Sequence, residues 1–150
     1  MQFHADTPQA EVLNQALAGL DANRKPEWGK LDAAGMVEHV NRFMQLYLGQ
    51  IRMGGLPGFL ARHLGKAFLK RVAKQSPFET PKNLTTAPVL SVKQGADFAH
   101  EVARYVELSG QIESLSGDYN HPVYGPMDAE DVKGLVRHHT AHHFHQFGLI

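Results

Sequence analysis

The chain has 150 residues, in which 15 Lys and Arg balance 15 Asp and Glu, and it contains no cysteine. This length is typical of one domain with a sizeable core, and the balanced charge argues against a dedicated nucleic-acid binder. The lack of cysteine excludes disulfides, a catalytic thiolate and a cysteine zinc site, so nitrogen and oxygen atoms must hold any metal. No run approaches the roughly 18 apolar residues of a membrane span. We therefore expect a single cytoplasmic domain over residues 1–150.

Two amphipathic helices are predicted in the first third of the chain. Thr7 as N-cap and Pro8 at the first helical position predict helix one over about 8 to 21. Asp32 is a good N-cap for a second helix that runs to about Gln50. His39 lies on or beside the apolar stripe of this second helix. Alone, such a histidine would be an ordinary hydrogen-bonded core residue.

A third helix is predicted over about 58 to 74, with a basic edge and an apolar side. Such a helix can lie on an anionic membrane, but more often it is a bundle helix with a solvated cationic face. We expect no stable membrane association. The basic edge comprises Arg62, Lys66, Lys70 and Lys74, and the apolar side comprises Phe59, Leu60, Leu64, Ala67, Phe68 and Val72.

The second half of the chain is predicted to be helical apart from two irregular segments. Residues 75–91 contain three prolines and should form a long irregular loop. Helix four follows over about 94 to 115, residues 117–127 form a turn-rich loop, and Asp128 caps helix five. No segment shows convincing strand alternation. The pattern predicts an all-α fold, an antiparallel four-helix bundle with an additional short helix and a long Pro-containing loop.

The C-terminal helix carries five of the ten histidines, within residues 137–148. The apolar stripe upstream continues through His139, His142 and His143, whereas His138 and His145 fall on the other side. Two imidazoles one turn apart on a buried face each need a polar partner, and one shared metal ion satisfies both. The spacing therefore predicts an inward pair, His139 and His143. His4, His63, His100, His138 and His145 are assigned to the surface or its margins.

With His39 from helix two, this pair would place three neutral nitrogen donors around one divalent cation. Three protein ligands leave positions for water or substrate, which is typical of catalytic metal sites. We expect zinc or nickel, although imidazole also suits iron and copper. The leading hypothesis is a metal-dependent enzyme acting on a small molecule. The alternative is a non-catalytic bundle that metal or dimerisation stabilises.

Three sequence motifs resemble those of a known superfamily. Met36–Val40 reads M-V-E-H-V, residues 139–148 read H-x-x-H-H-x-x-Q-F-G, and residues 121–125 read H-P-V-Y-G. Together they resemble the DinB-like superfamily of metal-binding four-helix bundles, in a branch classed as a domain of unknown function. The resemblance spans Trp28 to Gly148. It implies a three-histidine site at His39, His139 and His143, a homodimer, and metal-dependent hydrolase or thiol-transferase activity.

Four further residues are candidates for supporting roles. His142 is expected beside the metal, where it hydrogen-bonds across helices or acts as a base. His121 could be a fourth ligand or an acid/base, or a structural residue of its turn. Tyr124 could donate to a substrate oxygen or simply pack. Gln146 is expected to orient a ligand.

Overall fold

The computed structural model describes residues 1–54, 58–93 and 95–150. In this part of the chain, five helical elements and one β-hairpin follow one another. Two short 3-10 turns, Pro77–Glu79 and Pro88–Leu90, lie between the third and fourth helices. The elements are α1 (Ala10–Leu17), α2 (Ala33–Tyr47), α3 (the consecutive segments Gly58–Leu60, Ala61–Gly65 and Lys66–Lys74), α4 (Phe98–Glu113), β1 (Asp118–His121), β2 (Gly125–Asp128) and α5 (Ala129–Gln146).

The prediction of an all-α fold is wrong, because residues expected to form an irregular loop pair as an antiparallel hairpin. Asp118 pairs with Asp128, and His121 pairs with Gly125, in a two-stranded sheet. The strands read D-Y-N-H and G-P-M-D, and Asp, Asn, Gly and Pro are all depleted in strands. The sequence therefore carried no strand signal, and the fold is mixed, with helices and one small sheet.

The hydrophobic core lies between α2, α4 and α5, with α1 and α3 packed onto it. Helix α2 supplies the largest share of the hydrophobic core, seven residues, because its apolar residues recur at helical spacing. Each fully buried aliphatic side chain stabilises the fold by roughly 1.5 to 3 kcal/mol relative to exposure. Among the fully buried residues are Leu13, Met36, Val37, Val40, Met44, Leu69, Leu108, Ile112, Val132 and Phe144.

Aspartate caps fix where α2 and α5, the helices that carry the three predicted metal ligands, begin. The Asp32 carboxylate accepts a hydrogen bond from the Gly35 N–H at 2.7 Å, and Asp128 accepts one from the Asp131 N–H at 2.8 Å. Both caps were predicted, and both satisfy a backbone donor that the helix leaves free. Helix α1 differs from its prediction. It begins at Ala10 with Gln9 at the N-cap, and no side chain caps it.

The buried face of α3 differs from the predicted one. Gly65, Leu69 and Ala73 are buried, whereas Leu64 and Phe68 are 59% and 51% exposed. The reason is a close backbone approach, since a Cβ on Gly65 would collide with the Val123 carbonyl of the hairpin turn. Residues 55–57 and 94, and the side chain of Arg62 in the predicted basic edge, lie outside the described part of the chain.

No helix in the described ranges is both long enough and apolar enough to cross a membrane.

Candidate metal centre

Three histidine side chains from two helices converge where α2 packs against α5. His39 lies on α2, and His139 and His143 lie one turn apart on α5. One ring nitrogen of each residue lies within 4.8 Å of those of the other two. The Nε2 atoms of His39 and His139 are 3.2 Å apart. The structure thus brings together the three residues that we predicted as metal ligands, and we call them the three-histidine cluster.

Hydrogen bonds fix which nitrogen of His39 and His143 is free. Nδ1 of His39 lies 2.8 Å from the Leu90 carbonyl oxygen, and Nδ1 of His143 lies 2.9 Å from Oε1 of Gln146. Because these oxygens can only accept, each Nδ1 carries the proton and donates it. Nε2 of each neutral ring therefore keeps a free lone pair. Metal-binding histidines commonly have this arrangement.

The side chain of Gln146 is itself held by the loop that precedes α2. Its Nε2 donates to the Trp28 carbonyl at 2.8 Å, which leaves Oε1 directed at His143. Gly29 follows with φ +85, and a Cβ there would lie 2.5 Å from Nε2 of Gln146. A glycine therefore gives both the left-handed backbone and the space that this amide needs.

The same loop covers the C-terminal end of α5. Arg24 donates from Nε to the Phe147 carbonyl and from Nη2 to the Gly148 carbonyl, both at 3.0 Å. The Glu27 N–H donates to the Gln146 carbonyl at 2.8 Å. Carbonyls at the end of a helix lack partners within the helix. These contacts satisfy them and fix the last turn, which carries His143 and Gln146.

His139 is held by packing. Its ring stacks on Phe43 with centroids 3.9 Å apart and an interplanar angle of 13°. Its Nδ1 is buried and has no hydrogen-bond partner among the described residues. An aromatic face can position an imidazole, but it cannot select the tautomer. His139 thus differs from the other two histidines, whose Nδ1 protons are both accepted by oxygen.

All three rings are neutral at pH 7, because burial disfavours their charged forms. Burial lowers the pKa of His39 and lowers that of His143 to about 3, and nearby His39 adds to the effect on His143. Burial, followed by the neighbouring His143 and His39, holds the pKa of His139 well below its ordinary value. A neutral imidazole is the form that binds a metal ion.

The spacing of the cluster fits a metal ion. Two imidazole nitrogens bound to one tetrahedral ion at about 2.0 to 2.1 Å lie about 3.3 Å apart. The 3.2 Å between the Nε2 atoms of His39 and His139 is close to that value. Without a cation, an N–H···N hydrogen bond could join these two rings. The donor type, the protonation and the spacing of the His39–His139 pair therefore suit a divalent cation, and a ring nitrogen of His143 lies within 4.8 Å of both.

Comparison with known proteins places the chain in a family. Residues 5–148 match the family described as Protein of unknown function (DUF1569). The chain belongs to this family. Neither the search of curated proteins nor the search of solved structures gives a match. What this DUF1569 chain does must therefore be inferred from the geometry of its site.

A cleft of about 630 Å³ reaches one side of the cluster in the DUF1569 chain. His143 and Gln146 form part of its lining. The remaining walls come from the loop before α2 and from the segment between α3 and α4. This volume lies within the range of small-molecule sites. A molecule of modest size could thus approach the cluster from the His143 side.

His142 lies beside the cluster, where it was expected. Its ring centroid is 5.1 Å from that of His143, and its Nδ1 donates to the Pro77 carbonyl at 3.3 Å. Burial lowers the pKa of His142, so its ring is neutral and Nε2 keeps a lone pair. The contact joins α5 to the segment that follows α3.

His121 and Tyr124 belong to the hairpin. Nδ1 of His121 accepts hydrogen bonds from the backbone N–H groups of Val123 and Tyr124, both at 3.0 Å. The His121 ring stacks between Tyr47 and Tyr124, with centroid distances of 5.1 and 4.6 Å. The ring contacts that link His121 to His139 pass through Tyr47 and Phe43. His121 thus stabilises its turn and lies outside the three-histidine cluster.

The assignment of His138 to the surface or its margins is wrong. This residue is only 4% exposed, and its Nε2 lies 3.0 Å from the Gln75 carbonyl. Phe3 covers the same side of α5, with its ring 6.3 Å from that of His138. The helix is therefore covered on two sides, by α2 on one and by the N-terminal segment and the segment after α3 on the other. Periodicity assumes one buried side, so it could not reveal this.

Sequence reasoning did not assign a role at the cluster to three groups that hold it in place. Helical spacing put Phe43 on the same stripe as His39, four residues further on, but it gave no sign that Phe43 would stack on His139. The carbonyls of Leu90 and Trp28 gave no signal, because every residue has a backbone carbonyl. Their role depends on the tertiary contacts that bring them to the histidines and to Gln146.

Proposed function

We propose that the chain binds one divalent metal ion at His39, His139 and His143 and acts as a metal-dependent hydrolase or thiol transferase on a small molecule. The proposal is carried by the convergence of three neutral ring nitrogens beside a cleft. Three protein ligands leave coordination positions for water or substrate. Imidazole donors suit zinc or nickel, and also iron and copper.

The side chains around the cluster have separable roles in this proposal. A divalent cation would supply the Lewis acidity that brings the pKa of a coordinated water or thiol toward neutrality. His39 and His143 bind through Nε2 because Leu90 and Gln146 accept their Nδ1 protons. His142 has a free Nε2 beside His143, from which it can accept a proton of the attacking group.

Two further observations support the choice of a catalytic site. The cleft ends at His143 and leaves room for a small-molecule substrate. The motifs resemble those of DinB-like metal-binding bundles, which include hydrolases and thiol transferases. DinB-like membership and a homodimer stay predictions.

A non-catalytic, metal-stabilised bundle is the competing proposal. It is favoured by the burial of His39, which is 5% exposed, and by the stacking of His139 on Phe43. In that case the ion would act on the free energy of unfolding alone, as in structural metal sites. The two proposals share the same three ligands and differ in the use of the cleft.

Metal analysis of protein purified without a nickel column tests the site. We expect about one bound ion per chain, and a loss of that ion in His139→Ala because one of three ligands is removed. His100→Ala is the matched control, since His100 is exposed on α4 and does not belong to the three-histidine cluster. Unchanged metal content in His139→Ala would exclude His139 as a ligand.

Removal of the metal separates the two proposals. If the chain is an enzyme, chelation abolishes turnover of small ester and amide probes, or thiol transfer to an electrophile, and restoring the ion recovers it. If the site is structural, chelation lowers the melting temperature strongly and no metal-dependent turnover is found with any of these probes.

A further inference from the structure

The cleft beside the three-histidine cluster has two walls that carry similar chemistry. The loop before α2 contributes Lys30 and Leu31, and the segment between α3 and α4 contributes Leu84, Val92 and Lys93. Each wall therefore presents one lysine and at least one aliphatic side chain. The two walls are more than 50 positions apart in the sequence, so only the fold brings them together.

The positive charge of the two lysines has no ion-pair partner in the part of the chain that the structure describes. Lys30 and Lys93 are exposed, and among the residues that the structure describes neither forms an ion pair. The lining also includes Asp32, but its carboxylate accepts the Gly35 N–H at 2.7 Å as the cap of α2. Two cations and one engaged carboxylate leave the cleft with a net positive charge.

The aliphatic side chains define the rest of the surface. Leu84 lines the cleft and is 63% exposed. Leu31 and Val92 are partly exposed. Apolar lining with a few charged groups is typical of small-molecule sites, in which the apolar area provides affinity and the charges provide orientation.

We propose that this cleft binds a small organic anion, with Lys30 and Lys93 holding its charged group and Leu31, Leu84 and Val92 contacting an aliphatic body. The other end of the ligand lies toward His143 and Gln146. This inference names the substrate class of the proposed metal site. It rests on the proposed function in one respect, that the ligand reacts at its end near His143. Anion binding itself needs no metal.

Three probes of equal length separate charge from apolar contact: hexanoate, hexanamide and hexylamine. Each is titrated into the full-length ¹⁵N-labelled chain, as purified and after chelation, with amide shifts followed by NMR. We expect hexanoate to shift the backbone amides of Lys30, Leu84 and Lys93 in both forms. It should bind about three- to fivefold more tightly per lysine than hexanamide, as is typical of exposed charge pairs. Hexylamine should bind most weakly, and added salt should reduce the preference for hexanoate.

Substitution of the lysines tests their assignment. Lys30→Gln and Lys93→Gln should each weaken hexanoate binding about three- to fivefold and leave hexanamide unchanged, because only the anion loses a partner. Lys70→Gln is the matched control, since Lys70 is exposed on α3 and does not line the cleft. The double variant Lys30→Gln/Lys93→Gln should bind hexanoate and hexanamide equally.

The outcomes distinguish this proposal from the metal site. Selective hexanoate binding that persists after chelation and is lost in the double variant supports the anion cleft. This holds even if metal analysis of the purified chain finds no bound ion. Equal binding of the three probes would overturn the anion assignment. Hexanoate binding that needs the metal and is unchanged in the double variant would also overturn it, because the carboxylate would then bind the ion and not the lysines.

Discussion

The three-histidine cluster and His121 of the hairpin both remove imidazole rings from water, yet they leave different nitrogens free. In the cluster, oxygen atoms accept the Nδ1 protons of His39 and His143, and their Nε2 lone pairs remain. At His121, two backbone N–H groups donate to Nδ1, so the proton lies on Nε2. The free group of His121 is therefore a donor, whereas the cluster presents acceptors.

This difference separates His39 and His143 of the cluster from His121 of the hairpin. Burial lowers the pKa in both regions, to about 3 at His143 and about 4 at His121, so a lowered pKa does not separate them. The hydrogen-bond partner of Nδ1 separates them. An oxygen partner accepts the Nδ1 proton, so the lone pair lies on Nε2 and is directed into the site. A backbone N–H partner instead donates to the Nδ1 lone pair, so the proton lies on Nε2.

The largest expected effect is on metal affinity. His143→Ala should weaken zinc binding by more than about 100-fold, because loss of a ligand should exceed the 10- to 100-fold effect of losing a supporting partner. His121→Asn should change the affinity less than about twofold. Competition with a chelating dye measures both. Similar losses in the two variants would contradict the separation of the two regions.

The next effect is on stability without metal. His121→Ala should lower the free energy of unfolding by about 2 kcal/mol, since it removes two accepted hydrogen bonds worth about 1 kcal/mol each. Urea unfolding of the chelated protein measures this. His121→Asn should recover part of the loss, because an Asn side chain can accept the same backbone N–H groups in a turn. Equal destabilisation by Ala and Asn would show that ring stacking, not hydrogen bonding, is what the histidine provides.

A smaller effect on metal affinity is expected at Gln146. Gln146→Ala removes the acceptor of the His143 Nδ1 proton and should weaken zinc binding about tenfold, the lower end for a supporting partner. Gln111→Ala is the control, because Gln111 is a partly exposed glutamine on α4 whose side chain donates to Glu107. If both variants bind zinc as the unmodified chain does, the Trp28 and Gln146 contacts do not support the cluster.

The smallest effect is the pH dependence contributed by His121. Burial lowers the pKa of His121 from 6.5 to about 4, so between these values the unfolded chain takes up a proton that the folded chain does not. Stability is complete above the ordinary pKa and is lost as the pH falls. One such group lowers the free energy of unfolding by about 0.7 kcal/mol between pH 7 and pH 6. Chelated His121→Asn should lack this contribution in urea unfolding at the two pH values, and an unchanged pH dependence would exclude it.

Local sequence signals predicted the parts of the site that depend on one helix at a time. Asp32 and Asp128 set the starts of α2 and α5, and helical spacing then placed His39 on one buried face and His139 with His143 on another. The same spacing failed for α3, where Gly65 packs on the hairpin and turns a different side inward. It also failed for His138, because two sides of α5 are covered.

The sequence by itself determined the two capped helices, the spacing of the histidines along α5 and the exclusion of thiolate ligands. Only the tertiary structure decided which nitrogen of His39 and of His143 is free. The acceptor for His39 comes from Leu90, 51 residues away, and the carbonyl that fixes Gln146 comes from Trp28, 118 residues away. Helical phase is a local property of the backbone, so the order of residues predicts it. The order of residues does not predict a hydrogen bond to a distant carbonyl, because the packing of the whole chain brings the two groups together.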